Sequence, residues 1–219
     1  MSDLPGVSAR PRIVAVMGST GCGKSAWLKR ELDAAKPQRL LIWDYSPVPE
    51  YEDRATYLSL TDVIRASSGA TFRVAYAAPI DAGRRRQAFE LFCRAALRAG
   101  RCTVVIEELR YVTTPSRSPD SWAALVMVGR KAGLQIYGTS QRPSHVDKDF
   151  LGNCTQLHCG QLGYDTDVET MSREMRLSAE EREKLLHLPP LQWMHRNRES
   201  GQLLHGKIDF PKRNKAPAS

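Results

Sequence analysis

The chain has 219 residues and a formal net charge of +8, with 42% apolar residues. That length suits one well-buried domain and is too short for two ordinary ones, and no run approaches the roughly 18 continuous apolar residues that a membrane span requires. The basic balance favours a polyanionic partner, because Lys and Arg displace condensed counterions from a phosphate backbone.

Residues 1–10 read as a flexible arm. Met1 to Arg10 carry no apolar stretch of the signal-peptide kind, so the expected compartment is the cytosol. The domain proper is expected over residues 11–210. Arg12 to Met17 is a short β-branched run, predicted as a buried strand that enters a glycine loop. Ser25 to Ala35 reads as a helix ended by Lys36-Pro37. Leu40 to Trp43 is a second buried strand closing on Asp44. The two prolines between Tyr45 and Tyr51 make that stretch a loop. Thr61 to Ala66 is predicted helical with Thr61 as N-cap, and Phe72 to Ala77 as a third strand.

Ala82 to Ala99 has the pattern of an amphipathic helix. Phe89, Phe92, Cys93, Ala96 and Leu97 fall on one face, and Arg84, Arg85, Arg94 and Arg98 on the other. Cys102 to Ile106 is the next strand, ending at Glu107-Glu108, and Thr113 to Asp120 is a loop. Trp122 to Lys131 reads as a helix with Gly133 as its C-cap, and Leu134 to Gly138 as a buried strand ending in Thr139-Ser140-Gln141-Arg142-Pro143. Thr155 to Cys159 is a further strand. Two helices follow, over Asp165 to Met175 and Ala179 to Leu186, the second opened by the capping-box pair Ser178 and Glu181. Leu191 to Arg196 and Gln202 to Ile208 flank a turn over Asn197 to Gly201, a hairpin signal. The basic residues 211–219 read as a flexible tail. Near-continuous apolar strands alternating with helices describe an α/β protein with a mostly parallel sheet covered on both faces, closed by an antiparallel hairpin.

Gly18-Ser19-Thr20-Gly21-Cys22-Gly23-Lys24-Ser25 matches the P-loop pattern in full. Glycines let the backbone N–H groups wrap a phosphate, and the helix that follows adds its positive end. In this chemistry Lys24 reaches the β- and γ-phosphates of ATP, Ser25 places its hydroxyl on Mg²⁺, and Cys22 is a small spacer. An apolar strand ending in two acids has the form of a Walker B motif. By position Glu107 takes the metal role and Glu108 orients the attacking water. Gln141, at the polar end of the next strand, suits a γ-phosphate sensor. Arg130 and Arg142 are candidates for positive charge given to a neighbouring subunit's phosphates, with solvated arginines as the plainer reading. Asp44 and Glu50 face the same edge, as metal assistants or as loop carboxylates.

The five histidines are spread along the chain, and core or surface positions suit them better than a metal site. The five cysteines, Cys22, Cys93, Cys102, Cys154 and Cys159, show no CxxC spacing, which speaks against a disulfide frame or a zinc site.

Together Gly18 to Ser25, Asp44 to Tyr51, Val104 to Glu108, and Gly129-Arg130-Lys131 through Thr139 to Pro143 resemble the FtsK–HerA superfamily of DNA-pumping ATPases. The compact size is similar to that of its viral genome-packaging branch in internal-membrane phages and of related prophage ATP-binding proteins. The resemblance covers about residues 12 to 160 and departs from the family at two places: Glu107 stands where Asp is usual, and the Asp44 to Tyr51 loop is long. It implies a RecA-like core, a homo-oligomeric ring, often a hexamer, an arginine finger in trans, and ATP-driven movement of double-stranded DNA. Packaging of a phage genome is the function it favours, with capsid or portal proteins as further partners and the host cytoplasm or the virion as location. The alternatives are a filamentous-phage assembly ATPase of the zonular-occludens-toxin type and a P-loop small-molecule kinase with Thr113 to Asp120 as lid.

Overall fold

The computed structural model describes residues 11–46 and 48–209. The arm and tail expected over 1–10 and 211–219 lie outside the described residues. Nine strands form one sheet: β1 (Arg12–Met17), β2 (Arg39–Asp44), β3 (Thr56–Tyr57), β4 (Phe72–Ala77), β5 (Thr103–Ile106), β6 (Gln135–Ser140), β7 (Gln156–Gly160), β8 (Gln192–Asn197) and β9 (Leu203–Lys207). The helices are α1 (Lys24–Ala35), α2 (Leu60–Ala66), α3 (Ala82–Ala99), α4 (Asp120–Val128), α5 (Lys148–Asn153), α6 (Asp165–Glu174) and α7 (Ala179–Leu186). The strand order is β3-β4-β2-β5-β6-β1-β7-β8-β9. The first seven run parallel, and β8 and β9 add an antiparallel edge.

Every residue of β2, β5 and β6 is buried, which is why these strands read as apolar runs without alternation. The alternation is there in space. Ile13, Ala15, Met17, Leu41, Trp43, Val104, Ile106 and Ile136 pack on one face with α2 to α7, around Phe89, Phe92, Trp122 and Phe150. Val14, Val16, Leu40, Ile42, Val105 and Tyr137 pack on the other, under α1 and Tyr51. The cover is therefore unequal: α1 with the segment around Tyr51 serves one face, and the other helices serve the opposite one.

Most predicted elements are present with ends moved by a residue or so. Three expectations change. Ser59, not Thr61, caps α2: its Oγ accepts the Asp62 N–H at 3.2 Å and donates to the Asp62 carboxylate, and Thr61 sits inside the first turn. The fourth helix opens at Asp120 behind Pro119 and stops at Val128. There Gly129 lies against Ile136, and the chain returns through Gly133 at φ +77°, with Leu134 N–H on Gly129 O at 2.9 Å. Arg85 is buried, away from the arginine face assigned to it, because three carbonyls take its guanidinium. The short elements β3 and α5 carry no sequence period long enough to be read.

His158 on β7 is wholly buried, stacked on Trp27 at 4.0 Å with His195 of β8 beside it at 5.9 Å. Burial first, and then the neighbouring imidazole, holds His158 well below its ordinary value; burial and Arg12 push His195 down to about 4. The unfolded chain takes these protons near pH 6.5, the folded chain only at lower pH, near 4 for His195. Stability from this pair is thus complete above 6.5 and lost as pH falls through that window. A His195→Gln variant should show a flatter decline in urea-unfolding free energy between pH 7 and 4 than the wild-type chain, by on the order of 2 kcal/mol.

Candidate nucleotide-binding site

The ends of β5, β6 and β1 lie side by side in the sheet, with Met17 opposite Ser140 and Ile106 opposite Gly138. The loop from β1 to α1 holds Gly18 at φ +146°, a conformation that L side chains rarely adopt. A Cβ there would also stand 2.5 Å from Cys22 Sγ. Cys22 is buried against Gly18 and Gly160, so the expected spacer role fits its place, and burial pushes its thiol up. Gly23, at φ +100°, is the N-cap of α1. The Lys24 ammonium folds back over the loop, donating to Gly18 O at 2.6 Å and Ser19 O at 3.1 Å. Ser25 follows in the first turn of α1, half-buried. Ser19 anchors the loop to the end of β7, with its N–H and hydroxyl on Gln161 O at 2.7 and 3.0 Å. Thr20 donates to Gln141 Oε1 at 2.9 Å, joining the P-loop to the polar end of β6.

Glu107 lies on the α1 side of the sheet, its carboxylate accepting from the Tyr51 and Thr139 hydroxyls. Burial pushes it up to about 7, against those two hydrogen bonds. Thr139 Oγ1 also accepts the Glu108 N–H at 3.1 Å, so one hydroxyl locks both acids. Glu108 sits at φ 52°, left-handed, at a cost of roughly 1–2 kcal/mol for a residue with a Cβ. Strain of this kind gathers at functional sites. Its Oε2 takes the Gln141 N–H at 3.4 Å and lies 3.3 Å from Arg110 Nε. Asp44, three strands from β1, is pushed up by burial. Its Oδ2 accepts the Glu50 N–H at 3.0 Å and the Tyr57 hydroxyl, which folds the long loop back, while its buried Oδ1 has no hydrogen-bond partner among the described residues.

The structure therefore brings Gly18 to Ser25, Glu107, Glu108 and Gln141 together. Arg142 lies beside them, its Nε on the fully buried Asp167 at 2.7 Å and its guanidinium 3.7 Å over the Tyr164 ring. Arg130 does not join them: it is at the opposite edge of the sheet, paired with Glu199 at 3.2 Å. The donor set fits a Mg²⁺ ion. Hydroxyl and carboxylate oxygens are what the ion takes, and neither Glu107 nor Asp44 makes an ion pair among the described residues, although burial raises both.

Protein P9 of Pseudoalteromonas phage PM2 is 29% identical to this chain over 181 residues, 81% of each. The genome packaging NTPase B204 of Sulfolobus turreted icosahedral virus 2, solved with AMPPCP, superposes with a TM-score of 0.71 at 18% identity over 93% of this chain and all of that one. The fold is that of a P-loop NTPase. VirB4 of Thermoanaerobacter pseudethanolicus shares it, with a TM-score of 0.67 at 13% identity over 91% of this chain and 90% of its own. At these identities the two structures show the fold, and it is the fold that the resemblance drawn from the motifs implied. No family model matches the chain.

Four features of this P-loop NTPase site escaped sequence reasoning. Tyr51 and Tyr57 lie in or beyond a proline-broken loop and carry no local signal. Thr139 stood in a polar cluster without a role until its two hydrogen bonds were seen. Asp167 reads only as an acid in the first turn of α6.

Because ionised Glu107 is costly, its effect on stability has a definite sign. Its folded pKa is raised, so nothing is lost below about 4.5, and stability declines as pH rises through about 7. Glu107→Gln should melt at a higher temperature than the wild-type chain at pH 8 in the absence of metal, with a gain in unfolding free energy on the order of 2 kcal/mol, and differ little from it at pH 4.5. Equal melting at both pH values would contradict the assigned protonation.

Proposed function

We infer that this chain is a Mg²⁺-dependent ATPase that moves double-stranded DNA as a ring of identical subunits, packaging a phage genome into a capsid. The observation that carries the reading is the hydrogen-bonded joining of Thr20 to Gln141, and of Glu107 and Glu108 through Thr139, across adjacent strand ends at the P-loop. Support comes from the likeness to a viral genome packaging NTPase and to a phage protein, and from the +8 charge.

The chain's own residues divide the work. The loop amides from Gly18 to Ser25 enclose the β-phosphate, and the α1 N-terminus adds positive potential. Lys24, now on Gly18 O and Ser19 O, has three donors to turn toward phosphate oxygens. Ser25 and Glu107 would hold the Mg²⁺ shell, and a bound ion would neutralise charge on the triphosphate. Glu108 takes a proton from the attacking water, and Gln141 orients that water against the γ-phosphate. Arg142 acts on a neighbour's phosphate: Asp167 grips it through Nε, leaving its terminal nitrogens as donors. Arg130 carries the same role only if the far edge of the sheet meets a neighbouring nucleotide. Capsid or portal proteins are the onward partners, and host cytoplasm or virion the place of action. No helix among the described residues is long and apolar enough to cross a membrane.

Lys24→Ala should abolish magnesium-dependent ATP uptake in calorimetry on folded protein. Glu108→Gln should keep that uptake and lower kcat roughly a hundred- to ten-thousand-fold. Duplex DNA should stimulate wild-type hydrolysis and, with ATP, shift the particle size to a closed oligomer. A strict monomer whose rate ignores DNA would point to a small-molecule kinase.

A further inference from the structure

Past the ends of β4 and β5, a cavity of about 450 Å³ lies between the start of α3 and the segment 110–119. Arg85, Arg86, Arg110 and Arg117 line it. Arg85 serves the wall itself. It donates to the carbonyls of Pro79, Ile80 and Tyr111 at 3.2, 2.6 and 3.2 Å, and its guanidinium lies over the rings of Tyr45 and Tyr111. Arg86 and Arg117 are exposed, and neither forms an ion pair among the described residues. The nearby carboxylate Asp81 accepts the Arg84 N–H as cap of α3.

Arg110 differs from the others. Its terminal nitrogen donates to the Tyr111 hydroxyl at 2.7 Å, and its Nε lies 3.3 Å from Glu108 Oε2. One guanidinium thus belongs both to the cavity wall and to the carboxylate assigned to the attacking water. That contact is well shielded, with the side chains 25% and 11% exposed, so it is screened less than a surface pair. With the Gln141 N–H and the Arg110 guanidinium both at Oε2, that oxygen is held in place and screened from a water approaching it.

Several guanidinium groups around one small volume repel each other until an anion enters. The planar forks match phosphate oxygens, and backbone phosphates are the groups such side chains meet without reading base edges. We propose that this cavity receives the phosphodiester backbone of duplex DNA and that its occupation draws Arg110 away from Glu108, turning hydrolysis on. The inference rests on the reading of the chain as a DNA-moving ATPase and assigns the DNA contact and its coupling. Arg110 is a positioning residue: it sets where the Glu108 carboxylate is held without touching nucleotide.

The test uses the full chain, a fluorescent duplex oligonucleotide, a methylphosphonate duplex lacking backbone charge, and a single strand. Arg86→Ala/Arg117→Ala should weaken duplex binding roughly tenfold or more and lower the slope of log affinity against log salt by about 2. Its DNA-free ATPase rate and melting temperature should match the wild-type chain. Arg110→Ala should hydrolyse ATP without DNA near the wild-type stimulated rate and gain nothing from DNA, an effect that mere loosening of the fold would not produce.

Wild-type affinity in the double variant would overturn the site while leaving the DNA-moving reading intact, provided that DNA still stimulates the wild-type rate. A wild-type chain that neither binds nor answers to duplex would remove both. Equal binding of the uncharged duplex, preference for the single strand, or loss of the oligomer in the double variant would each assign the cavity to something else, in the last case to a neighbouring subunit.

Discussion

The rest of the molecule depends on three parallel strands, β5, β6 and β1, held in register so that their carboxyl ends stop at the same height. A one-residue slip of β6 would turn Thr139 to the other face, where Gly138 now meets Phe150 and Leu109. Thr139 would then reach neither Glu107 nor the N–H of Glu108. Register is firm here because both faces of these strands are packed, so that any slip moves a buried apolar set onto the wrong core.

Burial on both faces brings an electrostatic consequence. Glu107 and Asp44 end strands inside the protein and are pushed up for lack of solvent, with hydroxyls and amides as their partners in place of cations. Such a site favours the arrival of positive charge. Hydroxyl partners suit that purpose: a Tyr or Thr can hold a carboxylate in place without cancelling its charge, whereas an arginine there would leave little for a divalent ion. The chain does use arginine one step outward, on Glu108, where Arg110 lies within reach of the surface cavity.

Much of the site was legible because its chemistry is local. The P-loop is eight consecutive residues, and its preceding strand and following helix are fixed by neighbours in sequence. Glu107, Glu108 and Gln141 were legible as strand ends, since apolar runs that stop at acids or amides mark a sheet edge. Cap and helix-end choices were less so. Ser59 and Thr61 are equivalent as residue types, and the geometry of Asp62 decided between them. Arg85 read as one more arginine of a solvated face, because nothing within α3 announces three carbonyls waiting from other loops.

Composition and pattern by themselves determined that this is an α/β chain with a phosphate cradle at the edge of a parallel sheet. Periodicity and short motifs record interactions between residues close in sequence. Only the tertiary structure decided that Tyr51 and Thr139 grip Glu107, that Arg142 leans on Asp167, that Arg130 stands on the far edge, and that α1 covers one face almost alone. Those contacts join segments tens of residues apart, and hydrogen-bond partners at that separation are chosen by strand order and packing, which leave no period in the chain.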